Sequence, residues 1–349
     1  MDVSHLTIEE GAKTVNAAEL SLLVYVDGWT LSPFANDMLA LRPAPLQLGF
    51  KGFASTSGGE YINGILGDAI ATPPEYAHAF SEPSLLLHGS TYHMVGHDDV
   101  YGFDLNALSG SSAHHVQWCS QKRAQEKKAL GAGSGPLLVS FNNQYKVDEG
   151  VFALWMEGMR RTAKEKTQLG MLKWDKTGAA DVKMRRNAYL LGVSPKRSLF
   201  FPFAPTQTHL QQKAAGDVFV DTLTYSAHGT AADALFAGVP IVSFPSERMC
   251  SRVASSLILA GRQNGGAAAA SIISHSHSSY LAYTVSAARK AAEHVNVEKY
   301  GGNGCGWGKG VVQTERWVKG AEIVYKMWLD AHAAGRPAVH IVGVDVTGI

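Results

Sequence analysis

His228, Gly229 and Thr230 stand in a row where a short apolar run gives way to an Ala- and Leu-rich segment. An imidazole, a residue without a side chain and a hydroxyl on the first turn of a helix lie among unpaired N–H groups at the positive end of the helix dipole. Anions are favoured there. A second stretch, Gly52-Phe-Ala-Ser-Thr-Ser-Gly-Gly, is rich in glycine and hydroxyls and can wrap an anion or a sugar. The first feature also has a plainer reading, with Thr230 as a helix cap and His228 as a surface histidine. For one turn taken alone, the plainer reading is the better one.

The elements around that turn give it context. Val218, Phe219 and Val220 read as a buried strand, and the helix that starts at His228 stops at Gly238 and Pro240 before Ile241-Val-Ser begins another strand. Strand, loop, helix, strand is the unit of a parallel α/β sheet. Further strands are expected at Leu20–Val26, Leu46–Phe50, Ile65–Asp68, Ser84–His88, Leu137–Phe141, Gly170–Trp174 and Ser198–Phe203. Between them lie helices at Ala35–Leu41, at Pro73–Phe80, from a cap at Asp148 through Met159, and at Ala180–Leu191. The pattern weakens from Gly102 to Gly135, where Gly131-Ala-Gly-Ser-Gly-Pro reads as a linker. Three regions follow: a partial first lobe with linker over residues 1–130, a second Rossmann-like lobe over 136–265, and closing helices over 280–341. On the last helix Trp317, Ile323, Val324 and Trp328 form an apolar stripe that reads as core.

Composition excludes several classes. At 349 residues and 46% hydrophobic, the chain can bury a large core. With 31 basic against 30 acidic residues there is no polybasic footprint for nucleic acid. Cys119, Cys250 and Cys305 form no C-x-x-C pair, which fits a reducing compartment and argues against a disulfide framework. No apolar run reaches the ~18 residues of a membrane span, and the start is no signal peptide, so a soluble intracellular protein is expected. His93 with His97, His114 with His115, and His275 with His277 lack carboxylates or cysteines at matching spacing. No metal site is assigned.

Leu41-Arg-Pro-Ala-Pro-Leu-Gln, Thr56-Ser-Gly, Phe141-Asn-Asn-Gln-Tyr-Lys-Val-Asp, Ala204-Pro-x-x-x-His, Asp221-Thr, His228-x-Thr, Asp233, Ala237-Gly-x-Pro, Ser251-Arg-Val-Ala and Met327-Trp occur in one order. Together they resemble the catalytic region of the intracellular O-linked N-acetylglucosamine transferases, over nearly the whole chain. The resemblance implies a GT-B fold, two Rossmann-like lobes with the nucleotide sugar in the cleft. It also implies transfer of N-acetylglucosamine from UDP-GlcNAc to Ser and Thr of cytoplasmic and nuclear proteins. No metal or other cofactor is implied, and the partners are the UDP-sugar and protein acceptors, without nucleic acid or membrane.

By the same resemblance, Lys146 and the His228 turn take the diphosphate, and both are assigned catalytic roles in stabilising the leaving group. Asn143, Ala204, His209, Gly229, Thr230 and Asp233 complete the nucleotide-sugar site, with Asp233 on the ribose hydroxyls and His209 beside the uridine. Thr56, Ser57 and Gly58 belong to a loop facing sugar and acceptor. Departures from the family pattern are Thr206 in place of a lysine, Gln212 in place of an arginine, Tyr225 in place of a small residue, and a first lobe that starts late, with no tetratricopeptide period visible. Two alternatives stay open: a nucleotide-binding or scaffolding relic, and a Spindly-type O-fucosyltransferase using GDP-fucose. The first lobe is expected to be incomplete, and no residue is assigned as the base.

Overall fold

The computed structural model describes residues 2–30, 33–95, 123–173, 175, 177–262, 266–293, 314–336 and 339–343. Residues 102–122 of the weakly patterned stretch, with His97, His114 and His115, lie outside them, as do residues 294–313 of the region expected as closing helices. The chain divides into two compact units. One comprises Met1–Met94 with Gln313–Ile349, and the other Val95–Val312.

The first unit holds a parallel sheet in the order β1 (Leu23–Tyr25), β2 (Gln47–Gly49), β3 (Gly64–Asp68), β4 (Ser84–Leu87) and β11 (Ile341–Val342). Helix α1 (Ile8–Asn16), which the sequence reading had not marked, is held at its start by a capping box between Thr7 and Glu10. It is followed by α2 (Pro33–Ala40), and the segment expected as a helix near Pro73 is a 3₁₀ turn over Pro74–Ala79. Helix α10 (Thr314–Ala333) buries Trp317, Ala321, Val324 and Trp328 along one stripe, while Ile323 is half-buried. That stripe is core: a Cβ on Gly64 of β3 would come within 3.0 Å of the Trp328 ring, so the indole needs a bare backbone beneath it.

The second unit is a six-stranded parallel sheet of β5 (Leu137–Ser140), β6 (Gln168–Leu172), β7 (Ser198–Phe201), β8 (Val218–Val220), β9 (Ile241–Ser243) and β10 (Ile272–Ile273). Its order is β7-β6-β5-β8-β9-β10. Strands β5 to β7 are laid down in one direction and β8 to β10 in the other. The order reverses between β5 and β8, and in such sheets ligands bind outside the carboxyl ends of the strands at that reversal. Around the sheet run α3 (Glu149–Arg161), α4 (Ala179–Leu190), α5 (Thr206–Ala214), α6 (Gly229–Phe236), α7 (Met249–Gly261), α8 (Gly266–Ala270) and α9 (His277–Ala292).

The Ser-rich stretch before α9 has a structural task. Ile272 and Ile273 extend the sheet beside β9, and Ser276 and Ser279 form the capping box of α9. His275 and His277 are exposed. The helices grouped by sequence at the chain's end go to different units, α9 to the second and α10 to the first, because each buries its apolar face on a different sheet.

Helix α9 also reaches the strand ends where the order reverses. The buried Trp155 indole donates to the Tyr280 hydroxyl at 2.9 Å, and that hydroxyl donates to the Asp221 carbonyl at 2.7 Å. Two buried polar groups are satisfied in series by one hydroxyl. Tyr280→Phe leaves both unpaired, and a buried group left without its partner costs ~1–3 kcal/mol. We expect a loss of that size in urea unfolding of the full chain, with an unchanged midpoint speaking against the relay.

Candidate functional site: the loops after β5 and β8

Two segments leave the sheet at the reversal, Phe141–Val147 after β5 and Asp221–His228 after β8. They are joined by Asp221, which is fully buried at the end of β8. Its Oδ1 accepts from the N–H of Thr222 at 2.9 Å and of Ala227 at 2.7 Å, and from Asn142 Nδ2 at 3.3 Å. Its Oδ2 accepts from Ser243 Oγ at 2.7 Å. Burial pushes this carboxyl up to about 6, against the pull of those donors and of Lys146. At neutral pH it remains an anion.

Asn142 carries the connection onward. Its Nδ2 donates to Thr222 Oγ1 at 2.8 Å, and its Oδ1 accepts from Thr230 Oγ1 at 2.9 Å. Thr230 therefore does not cap α6. The N-cap position belongs to His228, and no side chain caps that helix. A Cβ built on Gly229 would meet nothing within 4 Å, so the backbone of the first turn faces open space. An uncapped helix start with room in front of it is an anion site in waiting.

Lys146 comes from the other loop, at the end of a 3₁₀ turn over Gln144–Lys146 that Asn143 caps through its side chain, at 3.3 Å from the Tyr145 N–H. Its ammonium donates to the Ser226 carbonyl at 3.1 Å and lies 4.0 Å from the centre of the Tyr225 ring. Burial lowers it to about 8, opposed by Asp221 and by Cys250. Tyr225 in turn stacks on His228, with ring centres 4.7 Å apart. His228 is half-buried, and its Nε2 lies 3.0 Å from the Cys250 carbonyl, a pairing in which the nitrogen must be the donor. Burial and the neighbouring Lys146 drive the imidazole down to about 3, so the ring is neutral at physiological pH. The cation of this site is Lys146, while His228 acts as a dipole.

The remaining expected residues fall into two groups. Asp233 lies on the second turn of α6 and is ion-paired with Lys213 of α5. His209 packs edge-on against Phe141 with ring centres 5.5 Å apart, and Ala204 is half-buried in the turn between β7 and α5. All of these belong to the second unit. In the first unit, Thr56, Ser57 and Gly58 follow β2. The Glu82 carboxylate accepts from Thr56 Oγ1 at 2.7 Å and from the Ser57 N–H at 2.6 Å, and Gly58 turns the chain at φ 67° with open space beside it. Beside them is a cavity of about 30 Å³ lined by Tyr25, Trp29, Phe50, Phe53, Ser57 and Glu82.

Asn142, Asp221, Tyr225 and Glu82 carry this geometry, and the sequence reading assigned a site role to none of them. Asn142 and Asp221 stood inside quoted motifs, and Tyr225 stood out as an unusual residue. Glu82 gave no signal, because its partners are some 25 residues away in the chain.

The model of Glycosyl transferase family 41 matches residues 1–115 and 132–291. The chain belongs to that family. Among the curated relatives, a probable UDP-N-acetylglucosamine–peptide N-acetylglucosaminyltransferase of Arabidopsis thaliana is 28% identical over 342 residues, covering 97% of this chain and 32% of the relative. A UDP-N-acetylglucosamine–peptide N-acetylglucosaminyltransferase of Caenorhabditis elegans is 22% identical over 343 residues, covering 72% of this chain and 29% of its own length. The chain thus spans about a third of the curated relatives it matches. The solved structure of an O-GlcNAc transferase mutant from Thermobaculum terrenum superposes with a TM-score of 0.71 at 22% identity, over 96% of this chain and 58% of that one. The two parallel α/β sheets are those of the family 41 GT-B fold.

The depressed Lys146 makes a prediction about pH. An amine whose pKa is lowered to about 8 loses its charge as pH rises through that value rather than through the ordinary lysine range. Asp221, Cys250, His228 and Tyr225 are the titratable groups around it. Pyrophosphate binding, measured by calorimetry, should weaken above about pH 8. In Tyr225→Ala the decline should move upward as water reaches the ammonium, and in Tyr225→Phe it should stay in place. A decline that ignores the ring would show that Tyr225 does not govern Lys146.

Proposed function

We propose that this chain is the donor-binding catalytic region of a UDP-GlcNAc:protein O-GlcNAc transferase acting in the cytoplasm or nucleus. The observation that carries the reading is the pairing of Lys146 with the uncapped, open start of α6 at the carboxyl ends of β5 and β8. A cation and a helix start aimed where negative charge develops suit a nucleoside diphosphate leaving group. The curated relatives are named for the same donor and for peptide acceptors.

The reaction is a single inverting displacement. A Ser or Thr hydroxyl oxygen bonds to the anomeric carbon as the bond from that carbon to the diphosphate oxygen breaks. The hydroxyl proton passes to a base, and UDP departs with the electron pair. Lys146 offsets part of the charge developing on the diphosphate, and the N–H groups of Gly229 and Thr230 bind it. His228, held neutral with its Nε2–H on the Cys250 carbonyl, shapes the turn without adding charge. The reading assigns no metal, nucleic acid or membrane partner. Thr56, Ser57 and Gly58 are assigned to the side of the sugar and acceptor.

Lys146→Met should lower turnover on a peptide acceptor by about 10²-fold or more, the usual scale for one charge-stabilising group. It should also abolish measurable UDP binding, with GDP bound by neither form. Near-normal turnover in Lys146→Met would remove Lys146 from the mechanism, and preference for GDP over UDP would move the chain to a GDP-sugar donor.

A further inference from the structure

In the first unit, the turn after β2 is held by one buried acid. Glu82, just before β4, is 4% exposed and lies 25 and 26 residues along the chain from the two residues it binds in that turn. Its Oε1 accepts from the Ser57 N–H at 2.6 Å, and its Oε2 accepts from the Thr56 hydroxyl at 2.7 Å and from the Ser81 hydroxyl. The Ser81 N–H in turn donates to Thr56 Oγ1 at 3.0 Å. Hydrogen bonds to a carboxylate are short and strong, and three on one side chain fix the turn they reach.

Those bonds divide the turn into an inner and an outer set. The single hydroxyl proton of Thr56 is committed to Glu82, so Thr56 has none to offer a ligand. Ser57 gives its N–H to Glu82, and its carbonyl accepts from the Trp29 indole at 2.8 Å. Its Oγ accepts from the Gly59 N–H at 3.2 Å, which leaves the hydroxyl proton over. Among the described residues, neither that proton nor the Gly58 N–H has an acceptor. Gly58 is exposed, with open space where a side chain would be. Trp29 is 53% exposed and is tethered to the same turn through its indole N–H. Two fixed donors and an exposed aromatic ring suit an extended peptide, whose backbone carbonyls meet the donors while a side chain lies on the indole.

We propose that Glu82 is a positioning residue for the acceptor peptide: by holding Thr56 and the Ser57 N–H, it aims the Ser57 hydroxyl and the Gly58 N–H at the peptide backbone, with Trp29 alongside. The inference rests on the transferase reading above. Thr56 then acts through Glu82 and does not touch the peptide, while Ser57, Gly58 and Trp29 meet it.

Three measurements on the full chain test it: UDP affinity by calorimetry, hydrolysis of UDP-GlcNAc by water, and steady-state transfer to the best acceptor in a library of Ser- and Thr-containing peptides. Hydrolysis uses the donor site without a peptide, so a general loss of structure lowers it and a loss of aimed donors does not. Glu82→Ala should raise the peptide KM about tenfold, the scale of one or two hydrogen bonds, with UDP affinity and hydrolysis within about twofold of wild type. Ser57→Ala, which keeps every bond to Glu82, should raise the peptide KM about threefold to tenfold with kcat held. Thr56→Val added to Glu82→Ala should change nothing further. If Glu82→Ala does not fold, Glu82→Gln, which can still accept from the Ser57 N–H but not from both hydroxyls, carries the same comparison. A peptide KM unmoved in the folded variant overturns the inference, and so does donor hydrolysis that falls in step with transfer. A wild type that hydrolyses the donor but transfers to no peptide overturns it too. Absence of UDP binding by the folded wild type would instead overturn the donor reading itself.

Discussion

A carboxylate buried at the end of a central strand must find donors, and in this chain the search for them shapes the whole site. Asp221 draws the Ala227 and Thr222 N–H groups back onto itself, which curls the loop after β8 into a tight return. It takes a third donor from Ser243 on β9 and a fourth from Asn142 beyond β5. The strands on either side of the reversal are thereby tied through one side chain. Without it, the Thr222 and Ala227 N–H groups and the Ser243 hydroxyl would lose this acceptor in a dry interior, each at a cost of ~1–3 kcal/mol if left unpaired.

The rest follows from where that anchor leaves its neighbours. Once the loop closes at Ala227, His228 and the start of α6 lie at the rim, and Asn142 ties down Thr230. Lys146, drawn to Ser226 and covered by Tyr225, is the charge closest to hand. Its partial desolvation raises the energy of the free ammonium, so an arriving diphosphate gains more from it than from a solvated lysine. Neutral His228 is consistent with this economy, because a second positive charge beside Lys146 would be repelled in the same low-dielectric space.

Much of the scaffold was legible in advance. Apolar runs such as Val218–Val220 and Leu137–Ser140, short and set between turn residues and helical stretches, read as buried strands and are strands, and Gly238 and Pro240 follow the end of α6 as helix termination requires. Motif order placed Lys146, His228, Thr230 and Asp233 in one unit with the right strands. What could not be read was contact between distant residues. The partners of Asp221 are spread from Asn142 to Ser243, and Glu82 meets Thr56 and Ser57 only after the first sheet has formed. Thr230 looked like a cap by type and position, yet its hydroxyl was claimed by Asn142 across the sheet. Local propensity names the elements, and tertiary hydrogen bonds decide what each polar side chain does.

The most direct test of the central claim is a crystal structure of the chain with UDP. The account predicts that the diphosphate oxygens lie within hydrogen-bond distance, about 3 Å, of the Gly229 and Thr230 N–H groups and of Lys146 Nζ, with Asp221 keeping its donors. A diphosphate bound away from the start of α6, with Lys146 still directed at the Ser226 carbonyl, would contradict it.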